Sequence, residues 1–180
     1  KAAADHVKNS KSRLHLAGLV SSGSVHAYLD HLYGLLEFAR RQRISDVYVH
    51  MFTDGRDSPP REARNLLPEI EARMKLYQLG TIASLVGRDY AMDRHHDWVL
   101  TREAYGALTG SASFTATNLT EALAIASREA PDDARIPGIA IVNDGRPVGA
   151  LKAQDALIFF NFREDSMRQI AQTFIERDFK

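Results

Sequence analysis

One stretch constrains this chain more than any other: an apolar, β-branched and aromatic run that ends in a charged turn. Val47, Tyr48, Val49, His50, Met51 and Phe52 lead into Thr53, Asp54, Gly55, Arg56, Asp57, Ser58, Pro59 and Pro60. The first half reads as a strand. In the second half, Gly55 supplies backbone angles that a side chain would forbid. Pro59 and Pro60 fix the exit and hold Ser58 and Pro59 extended. A strand that delivers Asp-Gly-Arg-Asp at its carboxyl end suits an open α/β sheet, where ligands sit beyond the strand ends. The turn then offers an arginine for an anion with a carboxylate beside it. A solvated turn in which Arg56 pairs with Asp54 or Asp57 accounts for the same residues equally well.

Strands and helices alternate along the rest of the chain. Residues 1–13 hold the end of a helix without a capping signal, read as a linker remnant of a flanking domain in a longer protein. Residues 14–180 form the domain proper. Residues 14–20 are a strand, and 25–43 a helix with Tyr28, Leu29, Leu32, Leu35, Leu36 and Ala39 at helical spacing. A second helix spans 62–79, where Pro68 predicts a kink or a later start, and Gly80 a stop. A strand at 81–86 runs into another glycine-led polar turn, Gly87 to Arg94. Helices follow at 97–108 and 118–129, then a strand at 139–142, a tight turn at 143–146 and a return strand at 148–151. The last strand, 156–160, leads through Asn161, Phe162 and Arg163 to a closing helix ending near Glu176. This order predicts a three-layer α/β/α fold, with a largely parallel sheet and an antiparallel hairpin near Gly145.

The 180 residues suit one domain, and formal net charge is zero, so no global field favours nucleic acid or a membrane surface. Any anion site must be a local cluster. Cysteine is absent, which removes disulfides, thiolate chemistry and cysteine-based zinc sites and fits a cytoplasmic protein.

If the sheet is parallel, the ends of separate strands bring His26, Arg56, Asp57, Arg88, Arg94 and Arg163 to one edge, with Arg168 nearby. Guanidinium forks match phosphate and carboxylate bidentately. So dense a cluster calls for an anion to offset its self-repulsion, and a small ligand with both a phosphate and a carboxylate suits it. His26 reads either as a half-buried capping histidine or as a proton or hydrogen-bond donor to a substrate oxygen. Asp57 reads either as an ion-pair partner of Arg56 or as a general base at a substrate hydroxyl. His95 and His96, between Asp93 and Asp97, lack metal-ligand spacing and read as surface residues, while Trp98 and Tyr105 read as helix packing. No dinucleotide, NTP or hydrolase-elbow motif occurs.

Four segments in order carry a resemblance: Leu14 to His26, Asp54 to Pro60, Gly87 to Arg94, and Ile158 to Arg163. Together they resemble the inserted, substrate-binding domain of cofactor-independent (2,3-bisphosphoglycerate-independent) phosphoglycerate mutases, over nearly the whole chain. The resemblance implies an isomerase of glycolysis that interconverts 3-phosphoglycerate and 2-phosphoglycerate through a phosphoserine. It places two manganese ions and the serine nucleophile on a phosphatase-like domain of the same polypeptide, with no metal in this one. It assigns substrate binding to His26, Arg56, Asp57, Arg88, Arg94 and Arg163, and acid/base work at the hydroxyls to Asp57. The family motif continues after Arg163 as Pro-Asp-Arg; Glu164, Asp165 and Ser166 stand there instead, so one arginine is missing, and Arg168 is a candidate to fill its space. The domain alone is expected to be inactive. The rival readings are a mutase or phosphotransferase domain for another phosphorylated acid or sugar, and a non-catalytic binding module on the same fold.

Overall fold

The computed structural model describes residues 1–176. Three parallel strands form its centre: β1 (Leu14–Val20), β2 (Val47–Thr53) and β3 (Thr81–Gly87). Every residue of β1 is buried. A strand can hide alternate side chains on both faces only if helices cover both, so the apolar run was a sign of layering as well as of strand. The covering helices are α1 (Ala2–Ser10), α2 (Leu29–Arg41), α3 (Ala63–Tyr77), the short α4 (Arg88–Ala91), α5 (Trp98–Thr109), α6 (Leu119–Glu129) and α7 (Arg168–Ile175). β7 (Ala156–Phe159) lies parallel to β1 on its other side. The three-layer α/β expectation therefore holds.

Two short strands complete the sheet beyond β3. β5 (Ile139–Asn143) pairs antiparallel with β3, and β4 (Phe114–Ala116), which the sequence did not announce, pairs parallel with β5. The order is β4-β5-β3-β2-β1-β7. The reversal has a visible cause. After α6 the chain crosses to the carboxyl edge of β2 and β3 and turns there at Asp133–Arg135. The Thr53 hydroxyl donates to the Asp133 carbonyl at 2.7 Å, the Gly87 N–H to the Ile136 carbonyl at 2.7 Å, and the Asp133 carboxylate accepts the Ala63 N–H that opens α3 at 2.7 Å. β5 thus sets out from the end at which β2 and β3 stop and has to run the opposite way.

Local boundaries differ from expectation where tertiary bonds compete. The helix expected at 25–43 begins only at Leu29, because the His26 carbonyl accepts the Phe162 N–H at 2.9 Å and Tyr28 stays extended. His26 consequently sits on a strap beside the β7 exit and not on a helix. The helix at 63–77 starts where it should and runs through Pro68, so the later start does not occur. The hairpin return is β6 (Arg146–Pro147), directly after the turn and not at 148–151; Leu151 already bonds the Leu108 carbonyl of α5. The first helix packs on the sheet through Ala4 and Val7, which are in the core.

Candidate functional site

The carboxyl ends of β3, β2, β1 and β7 stand side by side. Arg88, the first residue after β3, lies at the middle of the groups they present. Its Nη1 donates to Asp54 Oδ1 at 2.5 Å and to Asp57 Oδ2 at 2.6 Å, and its Nη2 lies 3.0 Å from His26 Nε2. Asp54 is the anchor. It is 2% exposed and also accepts the Ser21 hydroxyl at 2.5 Å and the Arg56 and Asp57 N–H groups at 3.1 Å each. Burial pushes its carboxyl up, yet the Ser21, Arg88 and backbone hydrogen bonds outweigh that and hold it below the usual aspartate value. Burial works against the Arg88 charge, and its two aspartates outweigh this and hold it protonated.

Two glycines make the approach of the loops possible. Gly55 takes φ 72°, the left-handed region, so that Asp54 can turn back onto the amides after it. Gly23 lies against the Asp57 backbone; a Cβ there would stand 2.4 Å from the Asp57 carbonyl oxygen. The Ser21 to Ser24 loop therefore keeps its place beside Asp57 only with glycine at 23.

The remaining arginines are more exposed and each has a carboxylate partner. Arg56 forms a fork with Asp89 at 2.8 and 2.5 Å, Arg94 reaches Asp165 at 2.6 Å, and Arg163 reaches the same Asp165 at 3.0 Å. Two corrections follow. Arg56 pairs with Asp89, not with Asp54 or Asp57. The cluster also needs no bound anion to offset self-repulsion, since Asp54, Asp57, Asp89 and Asp165 already do so. Arg56, Arg88 and Arg94 line one cleft of about 410 Å³ together with Asp89, Asp93 and Met92. Arg163 is not among the lining residues and is linked to Arg94 through the shared Asp165. Arg168 stands apart: its guanidinium pairs with Glu164 at 2.5 Å on an open helix surface. Larger hollows lie elsewhere, one along Pro59 to Glu69 and one along α5, without such convergence.

Burial, then the positive charges of Arg88 and Arg163, lower the His26 pKa against the pull of Asp57 and Asp165. The histidine is therefore neutral at neutral pH. Its Nδ1 is 3.2 Å from Ser166 Oγ, and Ser166 is 2% exposed. Ser166, Asp54, Asp89 and Asp165 are the participants that sequence reasoning left out. Only Asp54 had a local signal, as an Asp placed to accept the N–H groups two and three residues on.

Around Asp93 the carboxylate organises a turn. It accepts the Asp97 N–H at 2.9 Å and the Gln169 side-chain amide at 2.7 Å, while His96 stacks on Trp98 with centroids 6.0 Å apart. Among the described residues no group of three or more His, Asp or Glu side chains is placed to hold a metal ion.

The family model described as BPG-independent PGAM N-terminus (iPGM_N) matches residues 1–180. The chain belongs to this family. Its similarity to 2,3-bisphosphoglycerate-independent phosphoglycerate mutases is 41% identity over 177 residues for that of Lachnoclostridium phytofermentans, covering 98% of this chain and 34% of the relative. With the Moorella thermoacetica mutase it is 44% identical over 167 residues, 92% of this chain and 32% of the relative. A crystal structure of Leishmania mexicana phosphoglycerate mutase at low cobalt concentration superposes with a TM-score of 0.91 at 27% identity, covering 99% of this chain and 34% of that one. The iPGM_N chain thus spans about a third of the length of these mutases. The Arg88 hub lies within Gly87 to Arg94, one of the four segments that carry the resemblance.

Proposed function

We propose that this chain is the substrate-holding domain of a phosphoglycerate mutase that interconverts 3-phosphoglycerate and 2-phosphoglycerate in the cytoplasm. The observation that carries this reading is the convergence of Arg56, Arg88 and Arg94 on one cleft, with His26 and Asp57 in contact with Arg88, and Arg163 linked to Arg94 through Asp165. Exposed ion pairs are worth only about 0–1 kcal/mol, so Arg56, Arg94 and Arg163 can exchange Asp89 and Asp165 for ligand oxygens at little cost. Arg88 is different. Asp54 holds it in place, so it meets a ligand already oriented, and its preorganised charge needs no rearrangement during phosphoryl transfer. Asp57, one oxygen from Arg88, is the group to take or return a proton at the glycerate hydroxyls.

Metal and nucleophile belong to the rest of such a polypeptide. Among the described residues no group of side chains fits a pair of manganese ions. The share of this domain is to grip the glycerate while the phosphoryl group is away, and to present either hydroxyl for its return.

Calorimetric titration of the chain with 3-phosphoglycerate tests the reading. Binding is expected, and Arg56→Ala should weaken it about tenfold or more, because a charge-assisted hydrogen bond to an anion is worth about 1.5–3 kcal/mol. Equal affinity in the variant would count against it. In the complete enzyme the same substitution should let hydrolysis compete with transfer. The missing arginine at Ser166 favours a second reading, a domain for another phosphorylated acid. Tighter binding of such an acid in competition with 3-phosphoglycerate would select it.

A further inference from the structure

Ser166 is buried at the turn after Arg163, and it makes two hydrogen-bond contacts of 3.2 Å: one with His26 Nδ1 and one, as donor, to the Arg163 carbonyl. The hydroxyl has a single hydrogen. With that hydrogen given to Arg163, the oxygen can offer His26 only a lone pair, so Nδ1 must carry a proton. The opposite side of the ring agrees with this choice, but it fixes the tautomer only while Arg88 Nη2 stays on the ring, since Arg88 is anchored by Asp54 and Asp57 and not by His26. Arg88 has no acceptor, so its Nη2 at 3.0 Å must donate, and His26 Nε2 must be the bare nitrogen. A ring that titrates low, with a donor facing one nitrogen and an acceptor facing the other, has a single neutral tautomer.

We propose that Ser166 is a positioning residue that fixes His26 as the Nδ1–H tautomer, with the Nε2 lone pair directed at Arg88 and Asp57. The consequence deepens the mutase reading and rests on it. A ligand hydroxyl that takes the place of the Arg88 Nη2 contact, while Asp54 keeps Nη1 anchored, meets Nε2 as an acceptor 3.6 Å from Asp57 Oδ2. His26 then accepts a hydrogen bond from a ligand hydroxyl in place of donating one to a ligand oxygen. This reverses the role that a histidine in an arginine cluster suggests. A guanidinium at 166 could not do the same: it has no lone pair to receive Nδ1–H, and would drive the ring to the other tautomer.

Two-bond nitrogen–proton correlation spectra of the imidazole rings, with His26 assigned through His26→Gln, read the tautomer directly. The wild-type chain should show His26 protonated at Nδ1 alone. Ser166→Ala and Ser166→Gly should lose that single-tautomer signature and show mixed protonation of the two nitrogens, and Ser166→Thr, which restores a hydroxyl, should recover it. Backbone amide spectra identify a misfolded variant, and the smaller Gly variant stands in for Ala where the latter disturbs the turn. His26 protonated at Nε2 in the wild type, or an unchanged Nδ1–H signature in folded Ser166→Ala and Ser166→Gly, overturns the proposal. Addition of 3-phosphoglycerate separates the two readings. A His26 spectrum that the ligand leaves unmoved counts against the substrate assignment, whereas the tautomer in the free chain judges Ser166 alone.

Discussion

Asp54 accepts four hydrogen bonds from a position almost closed to water, and one of its donors is the guanidinium at the centre of the rim. Removing the carboxylate leaves Arg88, itself largely buried, without its nearest charge. Breaking such a pair costs more than the pair is worth in isolation, because the surviving charge stays desolvated. Asp54→Ala is therefore expected to destabilise the chain by about 3 kcal/mol, read from urea midpoints at pH 7. A loss below about 1 kcal/mol, the value of an exposed pair, would mean that water already reaches Arg88. At this scale the sequence showed which residues carry charge and not which of them meet. Arg56 and Asp57 are neighbours in the chain, yet Arg56 turns to Asp89 and Asp57 to Arg88, because adjacent residues of a turn point apart. Ser166 was noticed only as a lost arginine. That its hydroxyl holds His26 depends on a contact across 140 residues.

Among the elements, the three central strands carry a polar line through the core. Asp155, just before β7, meets His15 of β1 at 3.2 Å; His15 meets His50 of β2 at 2.9 Å; His50 meets Ser84 of β3 at 2.8 Å. Burial lowers the His15 pKa from 6.5 to about 4, with Asp155 opposing and Arg13 assisting, and burial takes His50 well below its ordinary value, helped by the charges of His15 and Arg13. The folded chain refuses protons that the unfolded chain accepts. Stability is therefore whole above pH 6.5 and falls as the pH drops from 6.5 toward 4. Two such histidines give a slope of at most about 2.7 kcal/mol per pH unit. Urea midpoints at pH 7.5 and pH 5 check this, and His50→Gln, which removes one titrating ring, should flatten the profile by about half. Equal midpoints at the two pH values would show that the rings are hydrated. Apolar runs and turn residues were enough to locate most strands and helices. They misplaced the start of α2 and the extent of the hairpin return, where backbone bonds from Phe162 to His26 and from Leu151 to Leu108 override local spacing.

For the molecule as a whole, the proposed division of labour predicts no mutase turnover by the 180-residue chain alone, even with added manganese. A coupled assay for 2-phosphoglycerate formation decides it, and turnover above a boiled control would overturn the division. Periodicity and glycine and proline placement were sufficient for the α/β layering and the parallel centre, and the resemblance of four segments taken in order pointed to the family, since each is written in a short window of residues. The direction of β5, the exchange of partners among four arginines and four aspartates, and the exclusion of Arg168 from the cleft were settled only by folding. Each depends on which strand ends become neighbours in the sheet, and the free energy of an ion pair or a buried hydroxyl is set by distance and desolvation, neither of which exists until the elements have packed.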